Sequence, residues 1–135
     1  MPRQRVFALD LWGGPAERRF RRQRPGIDSL PWDTLDLAAF TEQQRVLAQQ
    51  SWLELALLEY GAAETQAQCL SLLLRAQAPL DLTALVSGFV LDELTHTELC
   101  VRVANALGPT PPLEYRDAQV FAPVTGAQGR PLLVA

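Results

Sequence analysis

The sequence predicts an all-α protein built on one long antiparallel helical hairpin. Three observations carry that expectation. From Thr41 to about Ala76 the apolar residues recur at helical spacing, with no proline and with Gly61 as the only glycine. A second run of the same kind extends from about Asp81 to Leu107. Between the two lies a short link containing Ala78-Pro79, which breaks a helix and leaves room only for a tight reversal.

Taken in chain order, residues 1–38 form a leader rich in proline, glycine and arginine, and no regular structure is expected there. It contains Gly13-Gly14-Pro15, Arg24-Pro25-Gly26 and Leu30-Pro31-Trp32. Arg18, Arg19, Arg21, Arg22 and Arg24 make a basic run, expected as a solvated segment that pairs with surface carboxylates and not as a nucleic-acid site. Trp12, Phe20 and Trp32 suggest that the leader packs loosely against the rest of the chain. Residues 39–108 form the hairpin. Thr41 followed by Gln44 resembles a capping box, in which each side chain satisfies the other's free backbone N–H. Gly108-Pro109 closes the second helix, a C-cap glycine followed by a residue that cannot continue it. Residues 109–135 carry Pro-Thr-Pro-Pro, Gly126 and Gly129 without helical period, so an extended or loop tail is expected.

Composition sets outer bounds. The 135 residues suffice for one domain with a modest core. A hydrophobic content of 48% is that of a globular chain, and a net charge of −3 argues neither for nor against a partner. All basic residues are arginine. Cys69 and Cys100 lie inside helical patterns and not in a CxxC pair, so they read as small core residues of a reducing compartment. Arg3 and Arg5 precede only a short apolar run ended by Asp10, which does not make a secretory signal, and Leu70–Leu74 is too short to span a bilayer. A cytoplasmic protein with no membrane partner is expected.

The chemistry sits on the apolar stripes. The first helix presents Trp52, Leu55, Ala56, Glu59, Ala62, Ala63 and Gln66; the second presents Leu85, Phe89, Glu93, His96, Cys100 and Val103. At about 1.5 Å per residue, Glu59, Glu93 and His96 stand at heights of about 27, 20 and 24 Å from the turn, nearly level on facing helices. Facing carboxylates in an apolar seam repel unless they take up protons or hold a cation between them. No arginine lies on either stripe to serve, so a divalent metal is the economical answer. Two carboxylates and an imidazole suit iron or manganese, and zinc less specifically. Asp92, four residues before His96, is placed to orient the imidazole, and Tyr60 is a neighbour suited to redox or packing. The alternatives are a satisfied core histidine, a surface Glu59, or Glu64 as the inward acid. Glu54 and Glu98 read as solvated or interhelical charges. No catalytic acid or nucleophile stands out.

Leu58-Glu59-Tyr60-Gly61, the Ala76–Pro79 turn and Asp92-Glu93-Leu94-Thr95-His96-Thr97-Glu98-Leu99-Cys100 together resemble the ferritin-like di-iron carboxylate superfamily, and more closely bacterial ferritin-like domain proteins. The likeness covers roughly Trp52 to Leu107. It implies that the hairpin is half of a ferritin-like four-helix bundle. Glu59 would be a terminal or bridging carboxylate, Glu93 a bridging carboxylate and His96 the imidazole ligand. The resemblance also implies a di-iron cofactor, with iron oxidation or O2-dependent redox chemistry. Its members continue into a second helix pair with another Glu-x-x-His, which this sequence does not contain. A homodimer, or a second helix-pair chain, is therefore the expected partner. The alternative is a non-catalytic helical interaction or oligomerisation module that has lost, or never had, metal.

Overall fold

The computed structural model describes residues 3–125. Two long helices dominate: α2 (Glu42–Arg75) and α3 (Leu80–Ala106). They precede and follow smaller pieces: β1 (Gln4–Phe7), α1 (Gly14–Gln23), a single turn at Leu37–Ala39, β2 (Leu113–Arg116) and the one-turn α4 (Asp117–Val120). The expected helical hairpin is therefore present. Gly126, Gly129 and the rest of the tail beyond residue 125 lie outside the described residues.

The ends of the hairpin follow local chemistry. Thr41 caps α2: its hydroxyl accepts from the Gln44 backbone N–H while the Gln44 side chain accepts from the Thr41 N–H, the box that the sequence predicts. At the far end Ala78 N–H reaches Leu73 O and Gln77 N–H reaches Leu74 O, a Schellman closure. Gln77 takes the left-handed backbone at φ 52° that this closure requires. Pro79 then opens α3, and Thr83 Oγ1 donates back to the Pro79 carbonyl.

The two helices meet along a narrow seam of small side chains. Leu53, Ala56 and Ala63 of α2 face Thr97, Cys100 and Ala104 of α3, all buried. Small residues let the backbones approach, and Thr97 returns its hydroxyl to the Glu93 carbonyl so that no donor is stranded. Buried Gln49 bridges the open end of the hairpin, its Nε2 donating to the carbonyls of Ala104 and Gly108 at 2.9 Å each. The stripes read from the sequence are broader than this seam. Ala56, Ala63 and Cys100 lie in it, but Trp52, Leu55, Leu82, Leu85 and Phe89 are all more than a third exposed. Two cylinders bury only a line of contact, so the outer part of each apolar arc needs another partner.

One face of the hairpin finds that partner within the chain. β1 and β2 pair antiparallel, Phe7 opposite Leu113 and Arg5 opposite Tyr115. Phe7, Tyr60, Tyr115 and Phe121 form a closed ring of edge contacts with centroids 5.6–6.4 Å apart. Gly61 allows the tail to lie this close: a Cβ there would sit 2.5 Å from the Val120 carbonyl oxygen. The leader and tail, expected without regular structure, thus each contribute a strand and a short helix. The two strands are brief, and their partners are more than a hundred residues apart, so no local periodicity announces them; α1 has a local signal in Pro15 of its first turn.

Arginines fasten the leader to α3. Arg24 is buried, with 1% of its side chain exposed; its guanidinium lies 2.6 Å from Glu98, 3.0 Å from Asp28 and over the Phe20 ring. Arg102 joins Glu98 to Asp28 from the helix side, and Arg21 joins Asp28 to Glu17. Hydrogen bonds from Arg24 and then Arg21 hold the Asp28 carboxyl well below the usual carboxylate range. The basic run does pair with carboxylates, but its key member is buried and not solvated. Phe20 and Trp32 pack as the sequence suggests, whereas Trp12 is 95% exposed.

Candidate metal centre

The side chains of Glu59, Glu93 and His96 converge. One ligand atom from each lies within 4.8 Å of the other two. His96 Nδ1 is 3.2 Å from Glu93 Oε2 and 3.6 Å from Glu59 Oε2. Helical spacing puts Glu93 and His96 on one side of α3, and the antiparallel register brings Glu59 level with them from α2. This is the meeting that the heights along the two helices predict.

Its surroundings differ from the expected dry seam. The cluster lies at the edge of the helix pair: Glu59 and Glu93 are about a fifth exposed, at 23% and 19%, and the His96 side chain is 53% exposed. The cause is the breadth of the apolar stripes, which exceeds the seam that two helices bury. The Glu93 carboxyl, by hydrogen-bond contact first, and then burial push the Glu59 carboxyl above its ordinary value. That is the signature of two acids sharing one space. Below them Cys100 is buried, and burial, followed by the Glu59 charge, raises its thiol; it is a free thiol, as is Cys69.

The other residues singled out by sequence are placed elsewhere. Asp92 is exposed, and no hydrogen bond joins it to His96 among the described residues; the imidazole is oriented by Glu93 instead. A residue four positions earlier shares the helix face, yet the carboxylate at three positions reaches Nδ1 first. Tyr60 turns away from Glu59, as adjacent helical residues must, and its ring belongs to the aromatic ring of the covered face. Glu64 is engaged by Gln68 at 2.7 Å, beside the tail, and is not the inward acid. Glu98 belongs to the arginine network and Glu54 accepts from Gln50.

The sequence reading missed the wall beside this cluster. Leu30, Pro31 and Trp32 of the leader arch over α3 to make a groove of about 640 Å3 with Trp52, Cys100 and Val103, and the cluster's Glu59 and His96 open into it. The signal was present in Leu30-Pro31-Trp32, but nothing local says which helix such a segment will meet. A groove of about 570 Å3 at the tail, around Leu57, Gly61 and Leu113, has no imidazole or thiol in its lining. No helix among the described residues is long and apolar enough to cross a membrane. No family model, curated protein or solved structure matches this chain.

Proposed function

We propose that this chain is a metal-binding hairpin of ferritin-like kind, holding iron, or else manganese, through Glu59, Glu93 and His96. The observation that carries the reading is the convergence of the three ligand atoms within 4.8 Å. The donor set fits the group: two carboxylate oxygens and one imidazole nitrogen are what iron and manganese accept, and they are open to entry from the His96 side. The raised Glu59 carboxyl supports it too, because a pair of acids that compete for a proton in the absence of metal gains most from a divalent cation. A cation and a proton compete for Glu59, so uptake strengthens as pH rises and Glu59 gives up its proton. The Glu93–His96 contact keeps the ring aimed at the site beforehand. Iron bound there supplies one-electron redox chemistry, toward further ferrous iron or O2.

Three ligands on one edge leave coordination positions to fill, and the edge adjoins exposed Leu55, Leu85 and Phe89. Two copies related by a two-fold axis would cover this apolar arc and bring two ligand sets together, a di-iron centre in a four-helix bundle. A second reading is favoured by Leu82, Leu85 and Phe89 themselves. They form an apolar patch that serves an interaction module whether or not metal binds.

Elemental analysis of protein produced in iron-supplemented medium, combined with light scattering, separates the two. The expected result is a dimer with about one iron per chain, and loss of that iron in Glu93→Ala and His96→Ala. Equal and negligible metal in wild type and both variants, with the dimer retained, establishes the interaction module instead.

A further inference from the structure

The groove beside the acid–imidazole cluster is built, and its builder is the leader. Trp32 is fixed from several directions. Its indole Nε1 donates to the Ile27 carbonyl at 2.8 Å, its backbone N–H donates to Leu30 O, and the Arg102 guanidinium lies 5.4 Å from its ring centroid. Arg102 is itself held by Asp28 and Glu98. The indole N–H is therefore already used, and Trp32 can offer the groove only its ring. Trp52, Leu99 and Val103 complete an apolar lining whose only charged or imidazole members among the described residues are Glu59 and His96. The groove, about 640 Å3 and open to solvent, has room for one small molecule.

The polar end of the groove presents one carboxyl and one imidazole. His96 Nδ1 lies against Glu93, so Nε2 is the ring nitrogen left to a ligand. Glu59, when ionised, only accepts. Among the described residues no basic side chain lines the groove, so an anionic ligand would meet the Glu59 carboxylate without compensation. The groove suits a ligand with an apolar body and a hydroxyl head, which can donate to a carboxylate and can donate to or accept from an imidazole.

We propose that this groove binds a small phenol-class molecule, its ring against Trp32, Trp52 and Val103 and its hydroxyl donating to Glu59 or His96. The assignment rests on the metal-free geometry and not on the metal reading, though it would give a metal centre at this position an organic substrate. The leader, in this account, is the wall that makes the groove selective.

The test is titration of chelator-treated full-length protein with 4-propylphenol, followed by tryptophan fluorescence and calorimetry, with 4-propylbenzoate as the comparison. Saturable phenol binding is expected, with the benzoate weaker by about tenfold or more, as a lost hydrogen bond plus a buried like charge requires. Val103→Trp, which fills the groove, and Trp52→Ala, at a half-exposed position that tolerates truncation, should each weaken binding. His96→Ala should weaken the phenol by about fivefold. No saturable binding, equal affinity for the benzoate, or unchanged binding in folded Trp52→Ala overturns the assignment. Phenol binding by protein that takes up no iron sinks the metal reading alone. Iron uptake without phenol binding sinks the groove assignment alone.

Discussion

The two faces of this hairpin start from the same material and end differently. On one, Tyr60 and Gly61 of α2 and Glu98 and Arg102 of α3 are covered by the chain's own leader and tail, through aromatic edges and arginine–carboxylate pairs. On the other, Leu55, Leu85 and Phe89 face outward, and between them sit two acids and the only histidine. A chain able to cover one face with strands and a one-turn helix has left the second open where its ionisable groups converge, walled on one side by Leu30, Pro31 and Trp32. The covered face is where stability resides. The bare face is where a ligand or partner has something to gain.

Removing a member of the covered face should cost stability and leave metal uptake alone. The largest effect is expected at Arg24. Arg24→Ala strips Glu98 and Asp28 of a buried guanidinium, although Arg102 still serves both. A loss of about 2 kcal/mol, below the full cost of breaking a buried pair because of that second partner, should appear in denaturant melts. Bound iron per folded chain should not change. If iron falls in step with stability, the two faces are not independent and the contrast drawn here is wrong.

Gly61→Ala sharpens the same contrast at smaller scale. Its methyl would meet the Val120 carbonyl at 2.5 Å, so the tail must lift. Against a gain in helix propensity of up to about 1 kcal/mol, overpacking costs about 1–3 kcal/mol, leaving a net loss of about 1 kcal/mol. Proteolysis near β2 should quicken, because the strand loses the helix that supports it.

The bare face should show the smallest effect on stability and the opposite sign to an ordinary surface acid. Glu59 is raised above its ordinary value, so between that value and the raised one the folded chain holds a proton that the unfolded chain has released. Stability of the metal-free protein therefore falls as pH rises through that window and is recovered below it. Glu59→Gln removes the penalty. Melts of chelated wild type and variant between about pH 4 and pH 7 should show the variant gaining on wild type as pH rises. A variant that loses ground instead would mean that Glu59 is stabilised as a carboxylate, with no unmet need for a cation.

How much of this was legible beforehand divides along the same line. The hairpin was readable because its signals are local: the Thr41 box, Ala78-Pro79, the Gly108 cap and two unbroken helical periods. The convergence of Glu59, Glu93 and His96 was readable because a four-residue turn fixes the antiparallel register, and register fixes height. Burial was not readable. Periodicity reports that an arc is apolar but not how much of it a single neighbour can cover, so an open edge read as a dry seam. Asp92 shares a face with His96 and still loses the imidazole to Glu93, a difference of one side-chain reach that spacing does not resolve. The β1–β2 pair and the Arg24–Glu98 tie join segments distant in sequence, and no window along the chain contains both halves of either.

The direct test of the central claim is anomalous diffraction at the iron edge from crystals grown with ferrous iron. The account predicts a peak at bonding distance from Glu59, Glu93 and His96, absent in crystals of His96→Ala. A peak bound elsewhere on the chain, or an iron-soaked crystal in which His96 still rests on Glu93 with no peak beside it, would contradict it.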